Sequence, residues 1–296
     1  MMEAFPDEQS AIDHLRAIRW GASDENAYCP HCGSTRVNHF KDGKNHKCGD
    51  CRKRFSIKVG TIFEDSKIPL RKWFMAVWLI TSHKKGVAST TLARDIKVTQ
   101  KTAWFMLHRL RHAVRTKSFN APLDGTVEVD ETFVGGKEKN KHANKKQRSG
   151  RGPVGKAVVW GALKRDGEFR AEHIESLRDV KGHVYETVQP GATVITDEYA
   201  GYRGLVADYW HKTVNHSAGQ YAHTGNYYHT NGIEGAWSLI KRQIYGIHHW
   251  ISDKHLKRYL AEMTWRYNRR DMDEGERLNV LLSNVEGRLR YKELIA

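Results

Sequence analysis

The sequence predicts a multidomain fold in which a small cysteine-rich β module and an α-helical region precede an α/β domain with a mixed sheet. Three observations support this order. All four cysteines lie within 23 residues near the N-terminus, two helical patterns flank a tight turn beyond them, and the second half alternates apolar runs with acidic residues. The predicted divisions are a helical segment 1–25, a β module 26–60, a helical region 61–120 and an α/β domain 121–296.

Positive charge is concentrated in the first half of the chain. Lys and Arg total 49 against 34 Asp and Glu, a net charge of +15. Residues 1–120 contain 22 basic and 11 acidic side chains, whereas residues 121–296 contain 27 and 23. A basic first half favours a polyanionic partner, most simply nucleic acid.

The chain has no sequence feature of a membrane or secreted protein. Its longest apolar run, residues 73–80, is much shorter than the ~20 residues that span a bilayer. The N-terminal residues include several acids and no apolar leader. We therefore expect a cytoplasmic protein with no membrane partner.

The cysteines have the spacing of a tetrahedral zinc site. Cys29 and Cys32 form one C-x2-C pair, Cys48 and Cys51 form another, and 15 residues separate the pairs. This spacing predicts a zinc ribbon with short strands at 35–40, 44–47 and 52–57 around an Asp-Gly hairpin turn. Two disulfides are the alternative, but the sequence has no secretion signal. Four thiolates leave no open coordination position, so we expect structural Zn²⁺.

Residues 70–115 have an interrupted helical pattern. A break at 84–86 precedes a short helix at 89–96, and Thr99 is placed to cap a longer helix. This arrangement resembles the DNA-binding helix-turn-helix. A helical hairpin with a solvated basic face is the alternative. The outward face predicted to bind DNA contains Gln100, Lys101, Arg109 and Arg111.

Acidic residues interrupt the apolar strands predicted after residue 125. In the strand 126–134, alternation places Glu128 and Asp130 on one face and Glu131 on the other. A buried carboxylate is costly unless it is paired or binds a metal. Further strands are predicted at 157–163 and 169–174, a helix at 178–188, and a strand at 192–196 that ends at Asp197.

A helix that opens near residue 231 supplies further candidate site residues. Glu234 and Lys241 are two turns apart and therefore share a face of this helix. Together with Asp130 and Asp197, Glu234 completes a carboxylate set suited to a pair of Mg²⁺ ions, which prefer oxygen ligands and support in-line phosphoryl transfer by a two-metal mechanism. The strand-strand-strand-helix-strand order with acids at these places resembles the RNase H-like nucleotidyl transferase fold.

Five segments together resemble bacterial insertion-sequence transposases of the DDE type that carry an N-terminal zinc ribbon, relatives of the Merlin transposons. These segments are residues 29–51, 129–136, 196–202, 229–242 and 288–294. The resemblance implies an RNase H-like catalytic domain, strand cleavage and transfer at the ends of the element, and a homo-oligomer on double-stranded DNA. It also implies a bacterial protein associated with the nucleoid.

The same resemblance implies roles for individual residues. Asp130 and Asp197 match the first two catalytic carboxylates, and Glu234 is favoured as the third, with Asn231 as the alternative. These residues would hold Mg²⁺ or Mn²⁺, and Lys241 would lie against a DNA phosphate. A metal-dependent DNA nuclease and a non-catalytic zinc-ribbon regulator are the competing functions, although a degenerate regulator would be expected to lose one of the three acids.

A basic segment follows the first predicted catalytic strand. Residues 137–156 contain eight basic side chains, one acid, three glycines and one proline. We expect a flexible insertion that clamps DNA, with a solvated surface loop as the alternative. The candidate DNA-binding residues in this segment are Lys145, Lys146, Arg148 and Arg151.

Overall fold

The computed structural model describes residues 3–115, 121–136, 142, 155–215 and 228–296. The chain forms two compact units. The first contains residues 1–116 and 271–296, and the second contains residues 117–270. The α/β domain predicted to extend to residue 296 therefore ends earlier, because the last 26 residues belong to the first unit.

The first unit begins with a helix that packs on a small antiparallel sheet. Its elements are α1 (Glu8–Trp20), β1 (Val37–His39), β2 (Asn45–Cys48) and β3 (Arg54–Ser56). Trp20 at the end of α1 lies edge-on to His46 of β2 and Phe55 of β3, with ring centroids 4.7 and 6.5 Å apart. The predicted N-terminal segment and β module therefore share one core.

The helical region follows the predicted pattern closely. It contains α2 (Leu70–Ser82), α3 (Ser89–Asp95) and α4 (Gln100–Ala113). Thr99 caps α4 as expected, since its Oγ1 accepts a hydrogen bond from the Thr102 N–H at 3.2 Å. Lys97, in the turn between α3 and α4, has a left-handed φ of +52°.

Two residues predicted to face DNA from α4 are buried instead. Arg109 is 6% exposed and Arg111 is 1% exposed. All six residues from 106 to 111 are buried, so this part of α4 has no outward face. The Arg109 guanidinium donates instead to the carbonyls of Ile62 and Glu64, at 2.8 and 2.9 Å. The prediction that Arg109 and Arg111 lie on the outward face of α4 is therefore wrong.

Five strands in the described part of the second unit form a mixed sheet. The elements are β4 (Thr126–Val134), β5 (Ala157–Lys164), β6 (Phe169–Ile174), α5 (Val180–Thr187), β7 (Thr193–Thr196), β8 (Trp210–Thr213), α6 (Asn231–Gln243) and α7 (Asp253–Asn268). The strand order is β6-β5-β4-β7-β8, with antiparallel pairing from β4 to β6 and parallel pairing from β4 through β7 to β8. The sequence does not predict β8, because this edge strand contains no fully buried residue and so lacks an apolar pattern.

Side-chain alternation along the strands divides the interior between the two faces of the sheet. One core lies between the sheet and helices α6 and α7, and another includes α5. On β5, Val159 belongs to the first core and Trp160 to the second. On β4, Val129 belongs to the second core, so its neighbours Glu128 and Asp130 point toward α6. The predicted shared face of these two acids is confirmed.

Two C-terminal helices complete the first unit. They are α8 (Glu274–Leu282) and α9 (Tyr291–Ile295). His14 of α1 is 2.8 Å from Asn279 of α8, and Arg19 of α1 donates to Glu286 at 2.8 Å. These contacts explain why the C-terminal residues join the first unit rather than the sheet domain.

The helices of the described residues include none with both the length and the apolar character of a membrane span.

Candidate metal centres

The four cysteines of the first unit converge as their spacing predicts. Their Sγ atoms all lie within 4.8 Å of one another. The Sγ atoms of Cys29 and Cys51 are 3.7 Å apart, and those of Cys32 and Cys48 are 3.6 Å apart. Zinc with Zn–S bonds of about 2.3 Å separates tetrahedral thiolates by about 3.8 Å. The cluster therefore fits zinc, and none of the four cysteines forms the alternative disulfide.

Tight turns bring the members of each cysteine pair together. Gly33 has a φ of +75°, a conformation that suits glycine, and its N–H donates to the Cys29 carbonyl at 2.8 Å. In the second pair, the Cys51 N–H donates to Cys48 Sγ at 3.4 Å. The turns thus aim the sulfur atoms at a common centre, and the second turn also gives a thiolate a hydrogen-bond donor.

The second unit gathers three carboxylates, two from the middle of β4 and one just beyond the end of β7. Asp130, Glu131 and Asp197 each offer an oxygen atom, and these atoms lie within 4.8 Å of one another. The parallel register pairs Glu128 of β4 with Ile195 of β7. Continued by two residues, this register brings Asp130 of β4 alongside Asp197, the first residue after β7. The predicted meeting of these two aspartates is therefore a result of strand pairing.

Helix α6 holds one oxygen of Asp130. Trp237 Nε1 donates to Asp130 Oδ2 at 3.0 Å. Gly161 is the residue opposite Asp130 on β5, and a Cβ there would lie 2.5 Å from the Trp237 ring. Only glycine at this position lets the indole approach the strand so closely. The hydrogen bond orients the Asp130 carboxylate and leaves its other oxygen for a ligand.

Glu131 is a member of the acidic cluster that sequence analysis did not include. Its side chain leaves β4 on the face opposite Asp130, where the hydroxyl of the buried Tyr202 donates to Glu131 Oε1. Alternation alone separates Asp130 from Glu131, but both reach Asp197 because that residue follows the end of β7. The sequence signal was the adjacent Asp-Glu pair inside the apolar strand 126–134.

Burial raises the pKa values of two of the clustered acids. Burial raises the pKa of Asp130 to about 6, and the charges of Asp197 and Glu234 act in the same direction. Burial also raises the pKa of Glu131 to about 7, with contributions from Asp130 and Asp197. Crowded carboxylates in a low-dielectric site resist full ionisation unless a cation is present. The donor set therefore fits a hard divalent cation.

The other predicted catalytic residues lie on the exposed side of α6. Asn231 begins the helix, and Glu234 and Lys241 follow one and three turns along it. Glu234 Oε1 accepts a hydrogen bond from the Thr230 hydroxyl at 3.1 Å. Glu234 is not part of the group whose oxygens lie within 4.8 Å, although its charge contributes to the raised pKa of Asp130. The choice between Glu234 and Asn231 as third catalytic residue stays a prediction.

Two of the predicted DNA-binding residues are exposed at the start of α4. Gln100 donates to Ser89 Oγ at 2.9 Å, and Lys101 Nζ lies 5.2 Å from the centre of the Tyr291 ring. The predicted residues of the basic segment lie outside the described residues; they are Lys145, Lys146, Arg148 and Arg151.

Comparison with known families matches both units. Residues 122–268 match the ISXO2-like transposase domain, and residues 6–54 match the transposase zinc-ribbon domain. An uncharacterized protein in transposable element ISH50 of Halobacterium salinarum is 27% identical over 284 residues, which cover 90% of this chain and 92% of the relative. An uncharacterized transposase-like protein of Haemophilus influenzae is 32% identical over 107 residues, which cover 36% of this chain and 82% of the relative.

A solved structure gives a weaker likeness. The Mos1 strand transfer complex aligns with 77% of this chain and 82% of the compared chain, at 11% identity and a TM-score of 0.26. At this score the likeness carries no argument about fold or function.

Loss of one cysteine is expected to remove zinc and loosen the first unit. Structural zinc contributes folding free energy directly, and three thiolates hold it much less well than four. In Cys48→Ser, zinc content should fall from about one ion per chain toward zero, with a lower unfolding temperature. Elemental analysis and calorimetry measure both, with the exposed Asn38→Ser on β1 as control. Full zinc occupancy in Cys48→Ser would contradict the assignment.

Neutralising Glu131 is expected to stabilise the metal-free second unit at high pH. Because burial raises the pKa of Glu131 from 4.5 to about 7, the folded state favours the protonated carboxyl. That contribution to stability is present below about pH 4.5 and is lost as pH rises through 7. Glu131→Gln should therefore raise the free energy of unfolding by about 2–3 kcal/mol at pH 8 and change it little at pH 4.5.

Urea unfolding without added divalent cations tests this expectation. The exposed Glu186→Gln on α5 controls for loss of one negative charge. Added Mg²⁺ at pH 8 should reduce the difference in free energy of unfolding between Glu131→Gln and the wild type, since the cation stabilises the ionised carboxylates. A variant less stable than the wild type at pH 8 would refute the interpretation.

Proposed function

The chain belongs to the ISXO2-like family of insertion-sequence transposases and has a DDE-type transposase domain and a zinc ribbon. We propose that its two units have different roles in transposition: the first unit recognises DNA and the second catalyses the reaction. The second unit cleaves DNA at the ends of the element and joins the freed ends to target DNA by metal-dependent phosphoryl transfer. The observation that carries this proposal is the cluster of Asp130 and Glu131 on β4 with Asp197 after the end of β7.

In the proposed active site, Asp130 and Asp197 would hold the pair of catalytic cations, which we take to be Mg²⁺ or Mn²⁺. Bound there, the two cations would activate the attacking oxygen and stabilise the leaving oxygen of an in-line displacement. Trp237 keeps the Asp130 carboxylate in a fixed orientation. Glu131 lies within the same group of oxygens and is available as a further ligand.

Helix α6 would supply the remaining groups. Glu234 acts as the third carboxylate, and Asn231, at the start of the helix, is the alternative. Lys241 lies on the exposed side of α6, two turns beyond Glu234, where its ammonium group would contact a phosphate of the bound DNA. The hydrogen bond from Trp237 of the same helix to Asp130 supports the proximity of α6 to this carboxylate.

An RNase H-like fold for the second unit is part of the proposal. Three antiparallel strands are followed by a helix and then by a strand that pairs in parallel with the first. This order and the position of the acids agree with the resemblance described above.

The first unit would recognise the ends of the element. Helices α3 and α4 act as a helix-turn-helix, in which Gln100 and Lys101 at the exposed start of α4 contact DNA. The zinc ribbon and the net positive charge of residues 1–120 favour binding to phosphates. The basic segment 137–156 clamps DNA, and a homo-oligomer holds two ends together, in the bacterial cytoplasm with the nucleoid.

Cleavage and joining assays on end-containing DNA with Mg²⁺ test the catalytic assignment. Asp130→Asn and Asp197→Asn keep the side-chain shape but remove an anionic ligand. Metal ions contribute several kcal/mol to transition-state stabilisation, so both variants should lose about 100-fold or more in rate. The exposed Asp166→Asn, on the β5–β6 turn, should react like the wild type.

The same assay separates the remaining alternatives. Glu234→Gln should abolish joining and Asn231→Ala should only weaken it; the reverse result would assign the third role to Asn231. Cleavage without any joined product would indicate a nuclease. Specific binding with neither product would indicate a regulator, and undiminished joining by Asp130→Asn or Asp197→Asn would exclude the proposed site.

The start of α4 is expected to contribute to DNA affinity and Arg109 to stability. Gln100→Ala and Lys101→Ala should each weaken binding to end DNA by about 1–3 kcal/mol at fixed salt while the unfolding temperature stays unchanged. Arg109→Ala should instead lower the free energy of unfolding by about 2–4 kcal/mol, because two carbonyls lose a charged donor. Fluorescence anisotropy and urea unfolding measure these effects.

The exposed Lys257→Ala on α7 controls for the loss of one positive charge. If Lys101→Ala binds the end DNA no more weakly than Lys257→Ala does, α4 is not the recognition helix.

A further inference from the structure

Glu128 of β4 is a buried carboxylate that the proposed chemistry does not use. Its side chain is 1% exposed and points toward α6. Burial of a carboxylate costs several kcal/mol unless hydrogen bonds and an opposite charge compensate for it. Arg165 Nε donates to Glu128 Oε1 at 2.9 Å, and His229 Nδ1 lies 3.4 Å from the same oxygen. Both contacts are made to Oε1, so the second oxygen, Oε2, can accept a hydrogen bond from another element.

That second oxygen caps the N-terminus of α6. The backbone N–H of Ile233, the third residue of the helix, donates to Glu128 Oε2 at 2.9 Å. A capping side chain ordinarily belongs to the residue that precedes the helix. Here that residue is Thr230, which makes no side-chain capping bond in the described structure and instead donates its hydroxyl to Glu234. The cap therefore comes from a strand residue 105 positions earlier in the chain.

Two further contacts hold the same turn against the sheet. Arg165 Nη2 donates to the His229 carbonyl at 3.0 Å, just before the helix begins. A Cβ at Gly232 would lie 2.8 Å from Glu128 Oε2 and 3.0 Å from Leu163 Cδ2. The absence of a side chain at Gly232 thus permits the close approach of the helix to β4 and β5.

We propose that Glu128 is a positioning residue that fixes α6 on β4 and so sets the separation of Glu234 from Asp130. Asp130 lies two residues beyond Glu128 on the same strand, and Glu234 directly follows the capped residue Ile233 on the helix. Glu128 thus joins the two elements that carry these acids without belonging to the cluster of Asp130, Glu131 and Asp197. The proposal rests on the function proposed above for Asp130 and Glu234.

The second unit contains a matched control for a purely structural role. Glu262 is also a buried carboxylate paired with an arginine, Arg266. This pair lies within a single helix, α7, and its members are four positions apart in the sequence. Glu262→Gln therefore perturbs a buried ion pair without altering the attachment of α6 to β4.

Hydrogen exchange of the full-length protein, read by mass spectrometry, tests the cap without reference to activity. Glu128→Gln keeps the side-chain shape but weakens the bond to Ile233 N–H, so amide exchange in residues 229–236 should rise about ten- to hundredfold. Glu262→Gln should leave these residues unchanged. If Glu128→Gln proves unstable, Gly232→Ala displaces the same contact by steric overlap and should give the same local increase.

Divalent-cation-dependent cleavage of end DNA tests the consequence for the site. Glu128→Gln should lower kcat about tenfold or more and change KM for DNA less than about threefold, because it affects the alignment of reacting groups rather than DNA binding. Glu262→Gln should retain kcat. Glu128→Gln should also weaken Mn²⁺ binding to the wild-type site, because it displaces the ligand Glu234. When Glu234 is already changed to Gln, adding Glu128→Gln should weaken Mn²⁺ binding no further.

The outcomes separate this inference from the proposed function. Unchanged exchange at residues 229–236 in both Glu128→Gln and Gly232→Ala overturns the positioning role, whatever the activity. Equal losses of kcat in Glu128→Gln and Glu262→Gln overturn it as well. If Asp130→Asn cleaves normally, the proposed active site fails, whereas the exchange measurement still decides whether Glu128 holds α6 on β4.

Discussion

Three carboxylates on one interior strand determine how the second unit is arranged. β4 carries Glu128, Asp130 and Glu131 in a setting where an uncompensated charge would destabilise the fold. Each acid recruits a group from a different part of the chain: the start of α6 for Glu128, Trp237 for Asp130, and Tyr202 for Glu131. The elements around the sheet are therefore placed by the polar requirements of β4 as much as by apolar packing.

This dependence also joins stability to chemistry. Hydrogen-bond partners compensate the charge of Glu128, which attaches α6 to the strand. Burial and neighbouring acids instead raise the pKa values of Asp130 and Glu131. The first arrangement holds a helix, and the second creates a demand for a cation. A single strand thus contains one acid whose charge is compensated by groups of the protein and two acids whose charge would be compensated by a bound cation.

The sequence predicted features that depend on local spacing and missed those that depend on packing. Cysteine spacing is sufficient for the zinc centre because four thiolates at these intervals can converge, and alternation is sufficient to place Glu128 beside Asp130. Burial of Arg109 could not be predicted, since its partners are carbonyls 45 and 47 residues away. Glu131 was not predicted as a member of the acidic cluster because strand alternation places it on the face opposite Asp130. Both side chains reach Asp197 only because that residue lies just beyond the end of β7.

The first unit is discontinuous in sequence, because the second unit separates residues 1–116 from residues 271–296. During synthesis on the ribosome, the complete second unit is available before α8 and α9 exist. Loss of a short C-terminal stretch, as after a late frameshift, would therefore damage the zinc-ribbon unit while sparing the sheet and its acids. Such a shortened chain would retain the residues proposed for cutting but lack part of the unit proposed to choose where to cut.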